Sequence, residues 1–196
     1  MSKIVFIGDS ITKGTDYAGV TTIDTFAYKI GTANGYAASD ISNKGVASDT
    51  SSGVLARLQN DVISMRPGVC VLMIGVNDWK TGVPVDQYTS NVQQILRDLK
   101  SASIKPVVMS SVMYRGTNAQ FASWKPYLEA LENVCASEGV DCIDVYREFT
   151  YATYYAGPDV WKAYYFDQIH LAKAGHTFVA GIAARDLLAG VFTVQQ

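Results

Sequence analysis

Histidine and cysteine are scarce in this chain of 196 residues, which contains two histidines and three cysteines. The cysteines, Cys70, Cys135 and Cys142, are odd in number and show no CxxC spacing, so the sequence predicts neither a disulfide framework nor a zinc cage. We expect free thiols in a reducing compartment, although a bridge between Cys135 and Cys142 stays open. The two histidines, His170 and His176, supply too few ligands for a metal site.

A strong charge of one sign and long hydrophobic runs are also missing. The chain has 16 basic and 18 acidic side chains, so no cationic field is available to hold a nucleic acid. The longest apolar stretch, about residues 69–76, is far shorter than the ~20 residues that cross a bilayer. The apolar residues 4–7 end too soon for the core of a secretion signal. We therefore expect no nucleic-acid partner, no membrane span and, by default, a cytoplasmic protein, while a different export route or a place in a phage particle stays open.

The chain does contain short apolar runs that alternate with longer segments of helical period. Its length suits one domain, and no linker or repeat divides it, so we predict a single domain over residues 1–196. The apolar runs lack polar alternation, as is typical of strands buried on both faces of a parallel sheet. These predicted strands cover residues 4–7, 69–74, 106–109 and 142–145, with a weaker one near 37–42.

Between the strands, apolar residues recur at three- and four-residue spacing, which predicts helices with one apolar face. The clearest of these helices cover about residues 54–65, 85–99, 121–135 and 173–188. Five strands that alternate with helices predict an α/β fold with a parallel sheet. Such sheets bind ligands outside the carboxyl ends of their strands.

The first strand ends in Gly8-Asp9-Ser10-Ile11, which places Ser10 at a turn from strand to helix. A serine at this point exposes its hydroxyl beside the N–H groups of a helix N-terminus, where developing negative charge is favoured. Serine is also a common helix cap. The motif by itself therefore fits either a nucleophile or a simple cap.

Two further motifs supply candidate hydrogen-bond donors. In Gly75-Val76-Asn77-Asp78, after a buried strand, the Asn77 amide can project into the cleft, where a donor to an oxyanion is worth ~2.7–4 kcal/mol. Gly45, after the weaker strand, can bring a backbone N–H close to a substrate. Each motif taken alone is more typical of a turn.

Asp167 and His170 stand three residues apart just before the last predicted helix. At this spacing the carboxylate can bind one ring nitrogen of His170 and leave the other facing the cleft, as an oriented general base requires. A surface ion pair at a helix start would show the same spacing. His176 lies inside the last predicted helix, which favours a packing or surface role.

Together, and in this order, these motifs resemble the four sequence blocks of the SGNH/GDSL hydrolase family. The resemblance implies a three-layer α/β/α, flavodoxin-like fold that hydrolyses acyl esters without a metal or cofactor. It further implies that Ser10 is the nucleophile, that His170 is the base and that Asp167 orients it. The Ser10 and Gly45 N–H groups and the Asn77 side chain would form the oxyanion hole.

One position departs from the family pattern. Family members often have Asn-x-Gly-x-x-Gly in the second block, whereas this chain has Ser48 at the last position. Ile11 in place of leucine after the serine is a common variant. Asp9 and Asp78 belong to the motifs, and we expect them to support their loops by hydrogen bonds rather than to act as catalytic acids.

The substrate is indicated less directly, by a concentration of aromatic residues. Residues 149–166 contain eight of the aromatic side chains and directly precede the Asp167/His170 pair. Such a wall can stack on a sugar ring or line an acyl slot. The alternative is that it packs a long loop onto the domain or forms a dimer contact. The candidate substrate contacts are Trp79, Tyr114, Arg115 and Tyr165.

No long apolar insertion is available for a lipase-type lid, so we expect a small-molecule or glycan ester with a short acyl group, first of all an O-acetyl group on a carbohydrate. A thioesterase or lysophospholipase that takes longer chains is the alternative within the same class. A non-catalytic flavodoxin-like module that binds an anion is the alternative outside it. Against such a module, neither GxGxxG nor GxxxxGK[ST] follows the first strand.

Overall fold

A five-stranded parallel sheet forms the centre of the structure, a computed structural model that describes residues 3–17, 19–112, 118–154 and 158–186. The strands are β1 (Ile4–Gly8), β2 (Ile41–Gly45), β3 (Val69–Met73), β4 (Lys105–Met109) and β5 (Cys142–Ile143). Their spatial order is β2-β1-β3-β4-β5, and every neighbouring pair is parallel. The predicted parallel α/β class is confirmed.

Burial explains which strands the sequence predicted well. Every residue of β1 and β3 is buried, so these strands are apolar throughout rather than alternating. The edge strand β2 is only half-buried along its length and has the polar sequence Ile-Ser-Asn-Lys-Gly. It begins at Ile41, later than predicted, because residues 38–40 form a short 3-10 helix.

Helices cover both faces of the sheet. They are α1 (Ser10–Lys13), α2 (Phe26–Ala33), α3 (Ser51–Asp61), α4 (Val76–Thr81), α5 (Val85–Ser101), α6 (Asn118–Glu138), α7 (Val145–Tyr154), α8 (Pro158–Tyr164) and α9 (Lys173–Asp186). The step from β1 to β2 runs along the sheet in the opposite direction to the later steps. Right-handed crossovers therefore place α2 on one face and α3, α5 and α6 on the other. Helix α2 packs against α9, and α5 packs against α3 and α6, which completes three layers.

The aromatic-rich stretch before Asp167 is mostly helical rather than a long loop. It contains α7 and α8, and α7 begins at Val145, where the sequence predicted the end of a strand. Phe149 is fully buried, and its ring meets Tyr164, Tyr165 and Phe178 edge-on. These rings therefore pack the helices onto the domain, and Phe149 and Tyr165 belong to the hydrophobic core.

The three cysteines are free thiols, as expected: Cys70 and Cys135 are buried and Cys142 is partly buried. Among the described residues, no helix combines the length and the hydropathy that a membrane span requires.

The sheet leaves a crevice where the winding direction reverses, next to β1. Gly8, the last residue of β1, pairs with Gly45 of β2 on one side and with Met73 of β3 on the other. The loops that follow these three strands therefore start side by side, as is usual for ligand sites in open parallel sheets. Three of the four sequence motifs, those of Ser10, Gly45 and Asn77, lie at these strand ends. The Asp167/His170 segment is the fourth and comes from elsewhere in the chain.

Candidate active site

Ser10 is held at the start of α1 by the residue before it. Asp9 caps this helix, and its Oδ1 accepts a hydrogen bond of 2.8 Å from the Ile11 N–H. Ser10 is therefore the first helical residue, whose own N–H has no partner within the helix. Its side chain is 5% exposed, so the hydroxyl and this N–H lie in a largely water-excluded position at the end of β1.

The segment 165–171 forms a closed loop that carries the histidine. Tyr165 and Leu171 form an isolated antiparallel bridge at its ends, and the Phe166 N–H donates to the His170 carbonyl at 2.8 Å. Inside the loop, Asp167 Oδ1 accepts from the N–H groups of Ile169 and His170, at 2.8 and 2.7 Å. One carboxylate oxygen thus fixes the loop backbone.

The other carboxylate oxygen belongs to a line of three side chains. Asp167 Oδ2 lies 2.6 Å from His170 Nδ1, and His170 Nε2 lies 3.0 Å from Ser10 Oγ. The structure therefore brings together the three residues that the sequence assigned to nucleophile, base and orienter. An ionised carboxylate at Nδ1 keeps the proton on that nitrogen and leaves Nε2 free to accept the serine proton.

The hydrogen bonds keep Asp167 ionised. Partial burial raises the pKa of this carboxyl, but the hydrogen bonds from the His170 ring and from the two backbone N–H groups outweigh it. The resulting pKa lies below its usual value, so Asp167 carries a negative charge over the neutral pH range and can stabilise an imidazolium on His170.

Tyr17, which the sequence analysis missed, covers one face of the histidine. Its ring is stacked on the His170 ring, with centroids 3.6 Å apart and planes 12° apart. Burial raises the pKa of the Tyr17 phenol, and the nearby Ser10 side chain partly offsets this shift. The ring of Phe166 lies 6.1 Å from that of Tyr17, and Phe166 is 56% exposed. No spacing rule links Tyr17 to His170 across 153 positions, so the pair is visible only in three dimensions.

The structure corrects the assignment of Gly45 as an oxyanion donor. Its N–H already donates to Asn43 Oδ1 at 2.9 Å. A Cβ at this position would lie 2.1 Å from the Lys13 backbone nitrogen. Gly45 is thus a glycine because α1 packs directly on the end of β2, and its N–H serves the turn rather than the cleft.

Ser48, three residues later, occupies the position where family members often have glycine, and its backbone has a conformation that glycine adopts easily. Its φ angle is +61°, a left-handed conformation that costs a residue with a Cβ about 1–2 kcal/mol. Among the described residues, no acceptor binds the Ser48 N–H. Asp49, the next residue, accepts a hydrogen bond of 2.9 Å from Asn77 Nδ2 through its carbonyl oxygen.

Asn77 lies where the sequence placed it, after β3 at the start of α4, and is 8% exposed. A primary amide carries two N–H groups, and the bond to the Asp49 carbonyl occupies one of them. Because this hydrogen bond fixes the planar amide group, the second N–H also points in a fixed direction.

Asp9 and Asp78 support the loops, as predicted. Asp78 accepts from the Ser51 N–H, at 3.0 Å to Oδ2, and from the Ser51 hydroxyl, so it ties α4 to the start of α3. Asp9 is fully buried, and among the described residues no donor reaches its Oδ2. Burial raises the pKa of Asp9 to about 7, and the charges of Asp49 and Asp78 add to this shift.

The predicted substrate contacts have different outcomes. Trp79 donates from Nε1 to Ser123 Oγ at 3.0 Å, and its ring meets Trp124 edge-on, so it joins α4 to α6. Tyr165 is 4% exposed and stacks on Trp161, so its ring is used in the core. Residues 114 and 115, a tyrosine and an arginine, lie outside the described residues.

His176 is a packing residue, as the sequence favoured. It is fully buried in α9, and its Nδ1 accepts from the Phe26 N–H at 3.3 Å. Burial lowers its pKa to about 4, so the ring is neutral at neutral pH. Within the described ranges, no three side chains of the metal-binding types cluster.

These features define a class: an α/β protein with a serine, a histidine and a carboxylate in line at the carboxyl ends of a parallel sheet, the arrangement of a serine hydrolase. The chain belongs to the GDSL-like lipase/acylhydrolase family, whose pattern it matches over residues 6–178. It is a carboxylic ester hydrolase of this family, and the resemblance of its four motifs is confirmed.

Several relatives share this architecture. An acetylxylan esterase from Geobacillus stearothermophilus is 24% identical over 94% of this chain and 93% of its own. The solved structure of a catalytic mutant of the acetylxylan esterase Axe2 from the same organism has a TM-score of 0.80 at 20% identity, covering 100% of this chain and 97% of that one. The acetyl xylan esterase AlAXEase has a TM-score of 0.79 at 20% identity, over 94% and 99% of the two chains.

Proposed function

We propose that this protein is an acetylesterase that removes O-acetyl groups from a carbohydrate through an acyl-enzyme on Ser10. The observation that carries the proposal is the line from Asp167 through His170 to Ser10, with contacts of 2.6 and 3.0 Å. In this mechanism His170 Nε2 takes the proton of the Ser10 hydroxyl while Oγ attacks the ester carbonyl. The imidazolium then protonates the leaving alcohol, and water activated by the same histidine releases acetate.

The developing oxyanion needs donors that are already in place. We propose that these are the Ser10 N–H, the Ser48 N–H and the second N–H of the Asn77 amide. Neither of the first two has an acceptor among the described residues, and the Ser10 N–H also starts a helix. The third is aimed by the bond to Asp49. Ser48 thus takes the role that the sequence gave to Gly45.

Two observations favour a carbohydrate ester. Tyr17 stacks on His170, and the exposed ring of Phe166 lies beside Tyr17. An exposed aromatic face such as that of Phe166 suits the apolar side of a sugar ring. The acetylxylan esterase relative matches this chain along nearly its whole length. No nucleic-acid or lipid partner is needed for this activity.

An acetate-release assay over acetylated xylooligosaccharides and other acetylated sugars tests the substrate class. It is combined with 4-nitrophenyl esters of two, four, eight and sixteen carbons, which test the acyl chain. We expect activity to be highest with acetate. A maximum at eight carbons or more would contradict the deacetylase proposal and favour a thioesterase or lysophospholipase.

Ser10→Ala tests the nucleophile and should abolish both turnover and labelling by a fluorophosphonate. Ser64→Ala is a suitable control, because Ser64 lies in the turn that precedes β3, at the opposite end of the sheet, where its hydroxyl donates to the Asn60 carbonyl. Wild-type labelling of the Ser10→Ala variant would show that the nucleophile is another residue. An unlabelled wild-type protein would favour the binding module.

A further inference from the structure

Arg57, which no sequence motif singled out, makes an unusual set of contacts beneath the candidate oxyanion hole. It lies in α3, and its side chain is only 17% exposed. Nε donates to Asp49 Oδ2 at 2.8 Å, and Nη2 donates to the Gly8 carbonyl at 3.0 Å. Nη1 donates to the Lys44 carbonyl and to Asp61 Oδ2, both at 2.8 Å. One guanidinium therefore joins the ends of β1 and β2 to the loop between β2 and α3.

These acceptors lie next to the proposed oxyanion donors. Gly8 is two residues before Ser10 at the end of β1. Asp49 follows Ser48 directly, and its carbonyl oxygen is the group that holds the Asn77 amide at 2.9 Å. Arg57 is therefore linked to all three donors. It reaches the Ser10 N–H through Gly8, two residues away along the backbone. It reaches the Ser48 N–H and the Asn77 amide through Asp49, which is the neighbour of Ser48 and the acceptor of the Asn77 hydrogen bond.

The chemistry of the group suits this arrangement. A guanidinium presents five N–H donors in a rigid plane, so the acceptors it binds are held at fixed separations, which a flexible ammonium cannot do. Its charge is balanced by two carboxylates, Asp49 and Asp61, so burial leaves no unpaired ion. Asp49 lies in the loop between β2 and α3, next to Ser48, whereas Asp61 is the last residue of α3.

We propose that Arg57 is a positioning residue that sets the spacing of the oxyanion donors through Asp49, Gly8 and Lys44. This inference rests on the proposed function, because it concerns the transition state of ester hydrolysis. Arg57 touches no reacting atom, so its effect is on kcat through geometry. Displacements of about 1 Å in such a site cost about 10²-fold in rate.

The two carboxylate partners offer a matched pair of variants. Asp49→Asn and Asp61→Asn each remove one charge at 2.8 Å from the same guanidinium, but only the first weakens the link to the donors. Arg57→Lys keeps the charge and loses the planar fork. For each variant, kcat and KM for 4-nitrophenyl acetate and the melting temperature are measured.

We expect Asp49→Asn and Arg57→Lys to lower kcat about 10- to 100-fold with KM changed less than about threefold, since one oxyanion donor is worth about 10²–10³ in kcat. Asp61→Asn should stay within about twofold of the wild type. A trifluoromethyl ketone provides the second measurement, because Ser10 adds to it and forms an oxyanion. Its inhibition constant should rise in Asp49→Asn by about the factor by which kcat falls.

Equal losses of melting temperature in the two Asn variants, with wild-type kcat in both, would show that Arg57 only stabilises the fold and would overturn the inference. The same conclusion would follow if Asp49→Asn raised KM alone. A wild-type protein that hydrolyses no ester would instead overturn the proposed function itself, and the two failures are therefore distinguishable.

Discussion

The phenol ring of Tyr17 lies flat on the imidazole of His170, with 3.6 Å between the ring centroids. In the proposed mechanism His170 becomes an imidazolium in the transition state, and an aromatic face stabilises such a cation by about 0.5–2 kcal/mol. Tyr17 therefore favours the charged form of the base at the moment when the charge develops, while Asp167 does so from the edge of the ring.

Replacing the ring of Tyr17 should slow catalysis more than removing its hydroxyl. We expect Tyr17→Leu to lower kcat for an aryl acetate by about 2- to 30-fold, which corresponds to the loss of the cation–π contact. Tyr17→Phe keeps the stacked face and should lose less. If both variants lose the same factor, the contact of the hydroxyl with Ser10 is the important one.

Asp167→Asn separates the two tasks of this carboxylate. The asparagine Oδ1 can still accept from the Ile169 and His170 N–H groups and hold the loop. Its NH₂ group, however, faces His170 Nδ1 and favours the wrong tautomer, so kcat should fall by about 10³- to 10⁴-fold. Steady-state kinetics test the effect, and an unchanged melting temperature checks the loop. Activity within tenfold of the wild type would contradict the orienting role.

The two histidines should respond differently to replacement. His170→Ala removes the base and should lower kcat by orders of magnitude. His176→Ala removes a fully buried ring and should lower the stability by about 2–4 kcal/mol while kcat of the folded protein is unchanged. Urea unfolding and active-site titration measure the two effects, and a large loss of kcat in His176→Ala would contradict this division.

The neutral state of His176 predicts a loss of stability in acid. Its pKa is about 4 in the folded protein and ~6.5 in the unfolded chain, so the unfolded state binds the proton first. The contribution is complete above about pH 6.5 and is lost as the pH falls towards 4, by ~2 kcal/mol between pH 8 and 5. His176→Gln, which does not titrate, should lose less over this range in urea unfolding.

Asp9 predicts the opposite dependence of stability on pH, namely a loss of stability as the pH rises. Its pKa is about 7 in the folded protein and ~3.9 in the unfolded chain, so the folded state retains the proton. The contribution of the protonated Asp9 to the folding free energy is complete below about pH 4 and is lost as the pH rises through 7. Asp9→Asn mimics the protonated acid and should gain ~2–3 kcal/mol relative to the wild type between pH 5 and 8. Parallel pH profiles for the two proteins would contradict the raised pKa.

Much of the fold and of the triad follows from local sequence. Apolar runs such as Val69–Met73 predict buried parallel strands because both faces of such a strand exclude water. Asp167 and His170 could be paired because the interaction spans three residues, within reach of a single turn. Ser10 and Asn77 could be placed because each directly follows a strand, and the carboxyl ends of parallel strands share one edge of the sheet.

The sequence alone therefore determined the α/β class, the order of the strands along the chain and the three residues that line up as Asp167, His170 and Ser10, since periodicity and short spacing reflect local geometry. The tertiary structure decided which donors are free. Asn43 occupies the N–H of Gly45, and the loop leaves that of Ser48 unpaired among the described residues. It also decided that Tyr17 covers His170 and that Arg57 joins three segments. Hydrogen bonds and ring contacts between distant segments depend on how these segments pack, and this packing cannot be predicted from local sequence patterns.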